Sequence, residues 1–215
     1  MSDCCTPKGY RTIFSEKSAQ SEAKRYRRKG LDKLSRRIAE LIKKGGIEGR
    51  TMLEVGGGIG AIELELVTAG AARATSVELT PTYEEAASEL LRERNLGDRV
   101  ERRLGDFVEA GTDLEAADIV ILNRVVCCYP DMPKLVSAAA ERTRSTLVLT
   151  FPNNRWWTRL GLSLVNLVFR LLRVQFQIFM HPPDRILAEA ERHGLRARLS
   201  QPGLVWQLAA FDRVV

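Results

Sequence analysis

The sequence predicts an α/β fold, and three observations carry that prediction. Met52, Leu53 and Val55 form an apolar strand that stops in Gly56-Gly57-Gly58, and past Ala61 the residues Ile62, Leu64, Leu66 and Val67 take helical spacing. Ala117 to Leu122 is a near-continuous apolar run, the pattern of a central strand covered on both faces. Short strand-like runs alternate with longer helical stretches from there on, the order that strand–helix–strand units generate.

The strand, glycine turn and helix at 52–67 form the centre of the chain. Glycine is required where a turn takes backbone angles that a Cβ forbids, and its bareness lets a ligand lie against the main chain at a helix N-terminus. Gly56, Gly58 and Ala61 satisfy G-x-G-x-x-G/A, with Glu78 at about the 20-residue distance of a ribose-binding acid. The same residues also fit E/D-x-G-x-G-x-G, because Glu54 precedes Gly56 by two places and Gly60 adds a further glycine. A carboxylate at Glu54 sits poorly beside a pyrophosphate but suits a cationic amino-acid end, where opposite charges attract in a partly dry cleft. The stretch resembles motif I of the Rossmann-like (class I) S-adenosylmethionine-dependent methyltransferases. An NAD(P)-binding reductase is the competing reading of the glycines.

The bulk properties limit the alternatives. A chain of 215 residues, 45% hydrophobic and 28% charged, fits one globular domain with a substantial core. The first thirty residues are polar and basic, without the apolar core of a secretion signal. The cysteines form two adjacent pairs, Cys4-Cys5 and Cys127-Cys128, without the C-x-x-C spacing of a zinc or redox site. Reduced thiols, no metal and a cytoplasmic location are therefore expected. The net charge of +6 is uneven: residues 1–50 hold fourteen Lys/Arg against six Asp/Glu, a local +8 that leaves −2 for the remainder. This basic arm reads as a solvated helical face; an RNA-associated or non-catalytic domain using Arg and Lys between 24 and 37 is the alternative.

In chain order, residues 1–13 read as an irregular lead-in containing Pro7 and Gly9. Ser15 to Lys29 is helix-compatible, with Ala19, Ala23 and Tyr26 on one face, and Gly30 breaks it. Asp32 opens a second helix striped by Leu34, Ile38, Leu41 and Ile42, which ends at Gly45-Gly46. Residues 1–49 thus form an N-terminal helical cap, and 50–215 the methyltransferase-like domain. A second strand runs from Ala74 to Leu79, Pro81 opens a helix closed by Asn95-Leu96-Gly97, and Val100 to Leu104 is a third strand.

The resemblance assigns the cofactor residues. Glu54 with Gly56, Gly57, Gly58 and Gly60 would hold the methionine end of S-adenosylmethionine. Glu78, with Leu79 beside it, would accept the ribose hydroxyls. Asp106 in Gly105-Asp106-Phe107 would accept from the adenine amino group while Phe107 covers the ring. Asn123, at the end of the 117–122 strand, completes the set.

Asn123 to Asp131 should line the acceptor side, since ligands bind beyond the carboxyl ends of parallel strands. It lacks the N/D-P-P-Y/F pattern of enzymes that methylate exocyclic base amines and the Pro-Cys pair of cytosine-C5 enzymes. Nucleic acid is therefore not the expected substrate. Tyr129-Pro130-Asp131 is loosely similar to small-molecule O-methyltransferases, including those acting on magnesium protoporphyrin. Tyr129 and His181 are the candidate general bases, and His193 reads as a helix C-terminal dipole partner.

After a fifth strand at Leu147 to Thr150 comes an insert at 153–180. Its polar residues Arg159, Ser163, Asn166, Arg170 and Arg173 recur at four, three, four and three, within an otherwise apolar helix. One polar stripe suffices to face water, so the remaining arc is expected to bury. Trp156, Trp157 and Phe176 would then form part of a lid over an apolar acceptor, with the arginines meeting an anionic membrane surface; a helix packed on the domain or in a dimer interface is the alternative. A helix at His181 to Gly194 follows, then strands at Leu195 to Leu199 and Leu204 to Phe211. This pair suits the antiparallel hairpin that closes the seven-stranded, mostly parallel sheet of the family. The reading is methyl transfer from S-adenosylmethionine by SN2 displacement to a small, apolar or aromatic acceptor.

Overall fold

The computed structural model describes residues 7–109 and 113–214. Five strands run parallel: β1 (Thr51–Val55), β2 (Arg73–Glu78), β3 (Val100–Leu104), β4 (Ala117–Asn123) and β5 (Thr143–Pro152). Antiparallel to them are β7 (Trp206–Arg213), paired with β5, and β6 (Leu195–Pro202), paired with β7. The order across the sheet is β3-β2-β1-β4-β5-β7-β6, the mostly parallel sheet with an antiparallel hairpin that the sequence predicts. The order reverses between β1 and β4, so the crevice beyond their carboxyl ends is where a ligand binds in such a sheet.

Alternation along the strands sends side chains to two cores. Met52, Ile119 and Ile121 pack with α2 (Glu16–Lys29), α3 (Lys33–Lys44), α4 (Ala61–Thr68) and α5 (Glu84–Arg94). Leu53, Val55, Val120 and Leu122 pack with α6 (Met132–Glu141) and α8 (Pro183–Arg192). A central strand covered on both faces must be apolar throughout, which is why 117–122 carries no polar alternation beyond Asp118.

The N-terminal helices are continuous with the first of these cores. Ala19, Ala23 and Tyr26 are buried as expected, Ser15 caps α2, and Gly30 ends it at φ 67°. Asp32 caps α3 by accepting the Leu34 and Ser35 N–H groups at 3.0 and 3.3 Å. The stretch expected to be irregular contains a further helix, α1 (Pro7–Ile13). Its order comes from elsewhere in the chain: the Tyr10 and Phe14 rings meet Phe176 edge-on at 5.4 and 5.5 Å, and the Tyr10 hydroxyl donates to the Cys128 carbonyl. Cys4 and Cys5 lie outside the described residues.

The insert contains α7 (Trp156–Leu171), which is anchored at its start by Asn153. The Asn153 amide donates to the Gly203 and Leu204 carbonyls, and its oxygen accepts from Thr158 Oγ1 and the Arg155 N–H. Contrary to expectation, the wide apolar arc does not bury. Trp156, Leu160, Leu164 and Leu171 are 71, 63, 59 and 73% exposed, and Thr158 is the buried residue of the helix. The inward side includes Asn166, whose amide is bonded in both directions to the Ile178 backbone, and Phe169, against Phe176. The lid reading therefore fails for the two tryptophans of the helix, whereas Phe176 is buried between α1 and α7.

Candidate active site

The glycine turn leaves β1 directly into the crevice. The Gly56 N–H donates to the Val77 carbonyl at 2.8 Å, with φ +62°. Gly58, at φ +60°, donates its N–H to Glu78 Oε2 at 3.1 Å. A Cβ on Gly56 would stand 2.8 Å from Val125, and one on Gly57 would stand 2.7 Å from the Glu54 carboxyl carbon. Bare backbone is thus needed both for the turn and for the close approach of its neighbours.

Glu78 is buried, and its carboxylate also accepts the Leu79 and Thr80 N–H groups at 2.9 and 3.3 Å. Three backbone donors hold it rigid at the end of β2. Oε1 takes two of these donors and Oε2 one, so Oε2 keeps lone-pair capacity for a further donor from the cleft. Asp106 accepts the Val108 N–H at 2.9 Å and the Tyr129 hydroxyl at 3.2 Å, and Phe107 is buried beside it. At the end of β4, the Asn123 amide donates to Ser35 Oγ at 3.2 Å and its oxygen accepts from Thr150 Oγ1 at 2.8 Å. Arg124, at φ +62°, pairs with Asp32 at 2.8 Å, so the start of α3 is latched onto the strand end.

Beneath the turn lies a buried ionic cluster. Glu54 is 1% exposed, and its Oε2 accepts the Glu63 N–H at 3.1 Å, inside the first turn of α4. Arg102 meets Glu63 at 3.2 Å, Glu84 at 2.8 Å and the Gly58 carbonyl at 3.0 Å. Burial pushes the Glu54 carboxyl up to about 8, and the neighbouring Glu63 charge adds to the shift. Burial raises Glu63 as well, against the pull of Arg102.

These shifts set a sign for pH dependence. A carboxyl with a folded-state value above its unfolded 4.5 binds its proton more tightly in the native chain. Its stabilising contribution is complete below the unfolded value and is lost as pH rises through the folded one. The melting temperature of the ligand-free protein should therefore fall as pH rises from about 5 to about 8, and Glu54→Gln should flatten that fall. A wild-type profile that is flat or rising over this range, or one that Glu54→Gln leaves unchanged, contradicts the assignment.

Glu54, Gly56, Gly57, Gly58, Glu78, Leu79, Asp106, Phe107, Asn123 and Tyr129 all line one cleft. Residues 53–146 match the family model described as a methyltransferase domain. Over that stretch the chain is similar to methyltransferase domains. The search of curated proteins found no match. The chain is similar in fold to magnesium protoporphyrin IX methyltransferase from Synechocystis PCC 6803 with bound SAH, at 16% identity and TM-score 0.70, covering 95% of this chain and 100% of that one. An O-methyltransferase family protein from Burkholderia thailandensis shares 20% identity at TM-score 0.67, over 94% of this chain and 63% of that one. A family 2 O-methyltransferase from Planctomyces limnophilus, in complex with apigenin, gives 20% and 0.68 over 93% of this chain and 62% of that one.

Two predicted site residues do not line the cleft. Gly60, at φ +73°, is the left-handed cap of α4, where a Cβ would collide with Glu63. His181 stacks on Phe179 and bonds through Nε2 to the Tyr129 carbonyl at 2.9 Å; burial lowers its pKa. It is placed to hold the Tyr129 loop. Tyr129 does reach the cleft, but its hydroxyl faces Asp106, on the side assigned to adenine.

Sequence reasoning missed Arg102 and Glu63 under the turn, and Tyr10, Phe14 and Tyr83 in the cleft wall. The tripeptide Glu101-Arg102-Arg103 reads as an exposed edge strand and carries no local signal of burial. Cys127 and Cys128 both point their sulfurs at the Arg124 carbonyl, at 3.6 Å. Arg27, in the basic arm, is bonded to Glu89 and Glu93 of α5, which takes one cation from the face considered for RNA. Among the described residues, no cluster of His, Cys, Asp and Glu is arranged for a metal.

Proposed function

We propose that the chain transfers a methyl group from S-adenosylmethionine to a small, apolar or aromatic acceptor. The supporting observation is the composition of the cleft wall outside the glycine turn and the adenine side: Tyr10, Phe14, Tyr26 and Tyr83. Flat, weakly polar surfaces favour aromatic partners through offset or edge contacts. The molecules named with two of the similar structures, magnesium protoporphyrin and apigenin, are polycyclic and aromatic, in keeping with this reading.

In this reading the Gly56–Gly58 turn and Glu54 hold the methionine end, Glu78 the ribose, and Asp106 with Phe107 the adenine. Residues 1–49 act as the cap that completes the cleft, and 50–215 as the transfer domain. The sulfonium carries the activation, so the protein contributes mainly in-line placement, which is worth about 7–11 kcal/mol of barrier. Tyr129 shapes the cleft, and His181 positions its loop. An acceptor that is already an anion or a neutral amine needs no base from either.

The test is incubation of the full chain with methyl-labelled S-adenosylmethionine and host extracts separated into small-molecule, RNA and protein fractions. Label is expected in an organic-extractable small molecule. Label confined to RNA or polypeptide, or no transfer above the no-enzyme control, overturns the proposal.

A further inference from the structure

The outward face of α7 is apolar along its whole length. Trp156, Leu160, Leu164, Leu167 and Leu171 share this face, and each is at least 39% exposed. At the start of the helix, Trp157 Nε1 donates to the Leu204 carbonyl at 3.0 Å, which brings the 76%-exposed Leu204 of the β6–β7 turn to the same end. A patch of this kind on a folded domain marks an interaction surface.

Charge decides what covers it. Between Glu141 and Asp184 the chain contains no acidic residue, while Arg155, Arg159, Arg170 and Arg173 lie on or beside α7. Arg159, Arg170 and Arg173 are exposed. A two-fold pairing of two α7 helices would bring these arginines together without a carboxylate on the helix to meet them, and such isologous contacts must be self-complementary. A bilayer carrying anionic headgroups complements both features at once, with apolar chains for the leucines and phosphates for the guanidiniums. Trp156 at the helix end has the amphipathic ring favoured at such an interface. No helix among the described residues is long and apolar enough to cross a membrane, so the contact is in plane.

We propose that α7 docks the protein on anionic phospholipid membranes, lying in the interface with Leu160, Leu164 and Leu171 inserted and Arg159 and Arg170 on headgroup phosphates. The docking is independent of the acceptor's identity. It places the membrane on the opposite side of α7 from Phe169 and Phe176, whose rings adjoin the Tyr10 and Phe14 wall of the cleft.

Sedimentation with vesicles tests this on the full chain. The wild type should pellet with phosphatidylglycerol–phosphatidylcholine vesicles and far less with phosphatidylcholine alone. Leu164→Glu should lower the partition coefficient on the order of a hundredfold, from the lost burial of its carbons. Arg159→Gln combined with Arg170→Gln should lower it about thirtyfold, each arginine contributing roughly fivefold at an anionic surface. Retained S-adenosylmethionine binding shows that each variant is folded. The wild type alone gives a second measurement: tryptophan emission should shift to the blue and be quenched by brominated acyl chains when anionic vesicles are added. Absent pelleting, equal pelleting on neutral vesicles, pelleting insensitive to both variants, or no emission change overturns the proposal. So does a wild-type dimer that Leu164→Glu dissociates and that ignores vesicles.

Discussion

Gly58→Val is expected to remove measurable S-adenosylmethionine binding from a chain that still folds. At φ +60° a branched side chain is strained, at a cost of about 1–2 kcal/mol for a single L-residue in the left-handed region. The new Cβ would also stand 3.2 Å from the Tyr83 ring, with the rest of the side chain projecting into the cleft. The turn would then shift, and the Gly58 N–H that steadies Glu78 would shift with it. A typical domain stability of 5–15 kcal/mol absorbs that strain, so the loss should appear in binding calorimetry while far-ultraviolet circular dichroism is unchanged. Glu78→Ala supplies the scale: losing charge-assisted bonds to ribose should weaken binding by about 1–3 kcal/mol. Affinity of Gly58→Val within a few-fold of the wild type would remove the turn from the cofactor site.

Arg102→Met should be the most destabilising single change under the turn. The guanidinium side chain is 6% exposed and carries Glu63, Glu84 and the Gly58 carbonyl at once. Its removal leaves Glu63 buried without a counter-charge; breaking a buried pair from one side costs about 3–5 kcal/mol. Arg103→Met on the same strand is the control. That side chain is 42% exposed and pairs with Glu101 in water, where solvent screening leaves the contact little net effect on stability. Urea unfolding of the two variants at neutral pH should separate them clearly. Equal midpoints would show that the cluster does not bear on stability. Because Arg102 also anchors the Gly58 carbonyl, its loss should weaken cofactor binding even below the unfolding midpoint.

What could be read without coordinates was whatever is local in the chain. A glycine turn after an apolar strand needs no distant partner to take its shape, since missing Cβ atoms at Gly56 and Gly58 permit the positive φ that the structure contains. Glu78 and Asp106 follow from position, because carboxyl ends of neighbouring parallel strands converge on one crevice. Ala19, Ala23 and Tyr26 were legible as a buried face because helical periodicity had only one apolar side to offer.

Tertiary structure decided the rest. Arg102 has the surroundings of an edge residue in sequence, and only the pairing of β3 with β2, which sets it against Ser76, carries it under the glycine turn. Residues 7–13 lack a helical signal of their own and are ordered by rings that arrive from residue 176. In α7, spacing correctly separated a polar stripe from an apolar arc but held no information on which side meets the domain. The Ile178 backbone claims Asn166 from the polar stripe, since a buried peptide group needs a partner and Asn offers both a donor and an acceptor. That bond turns Leu160, Leu164 and Leu171 outward. Periodicity determines the faces of a helix, whereas the partners that reach it from distant sequence determine where each face points.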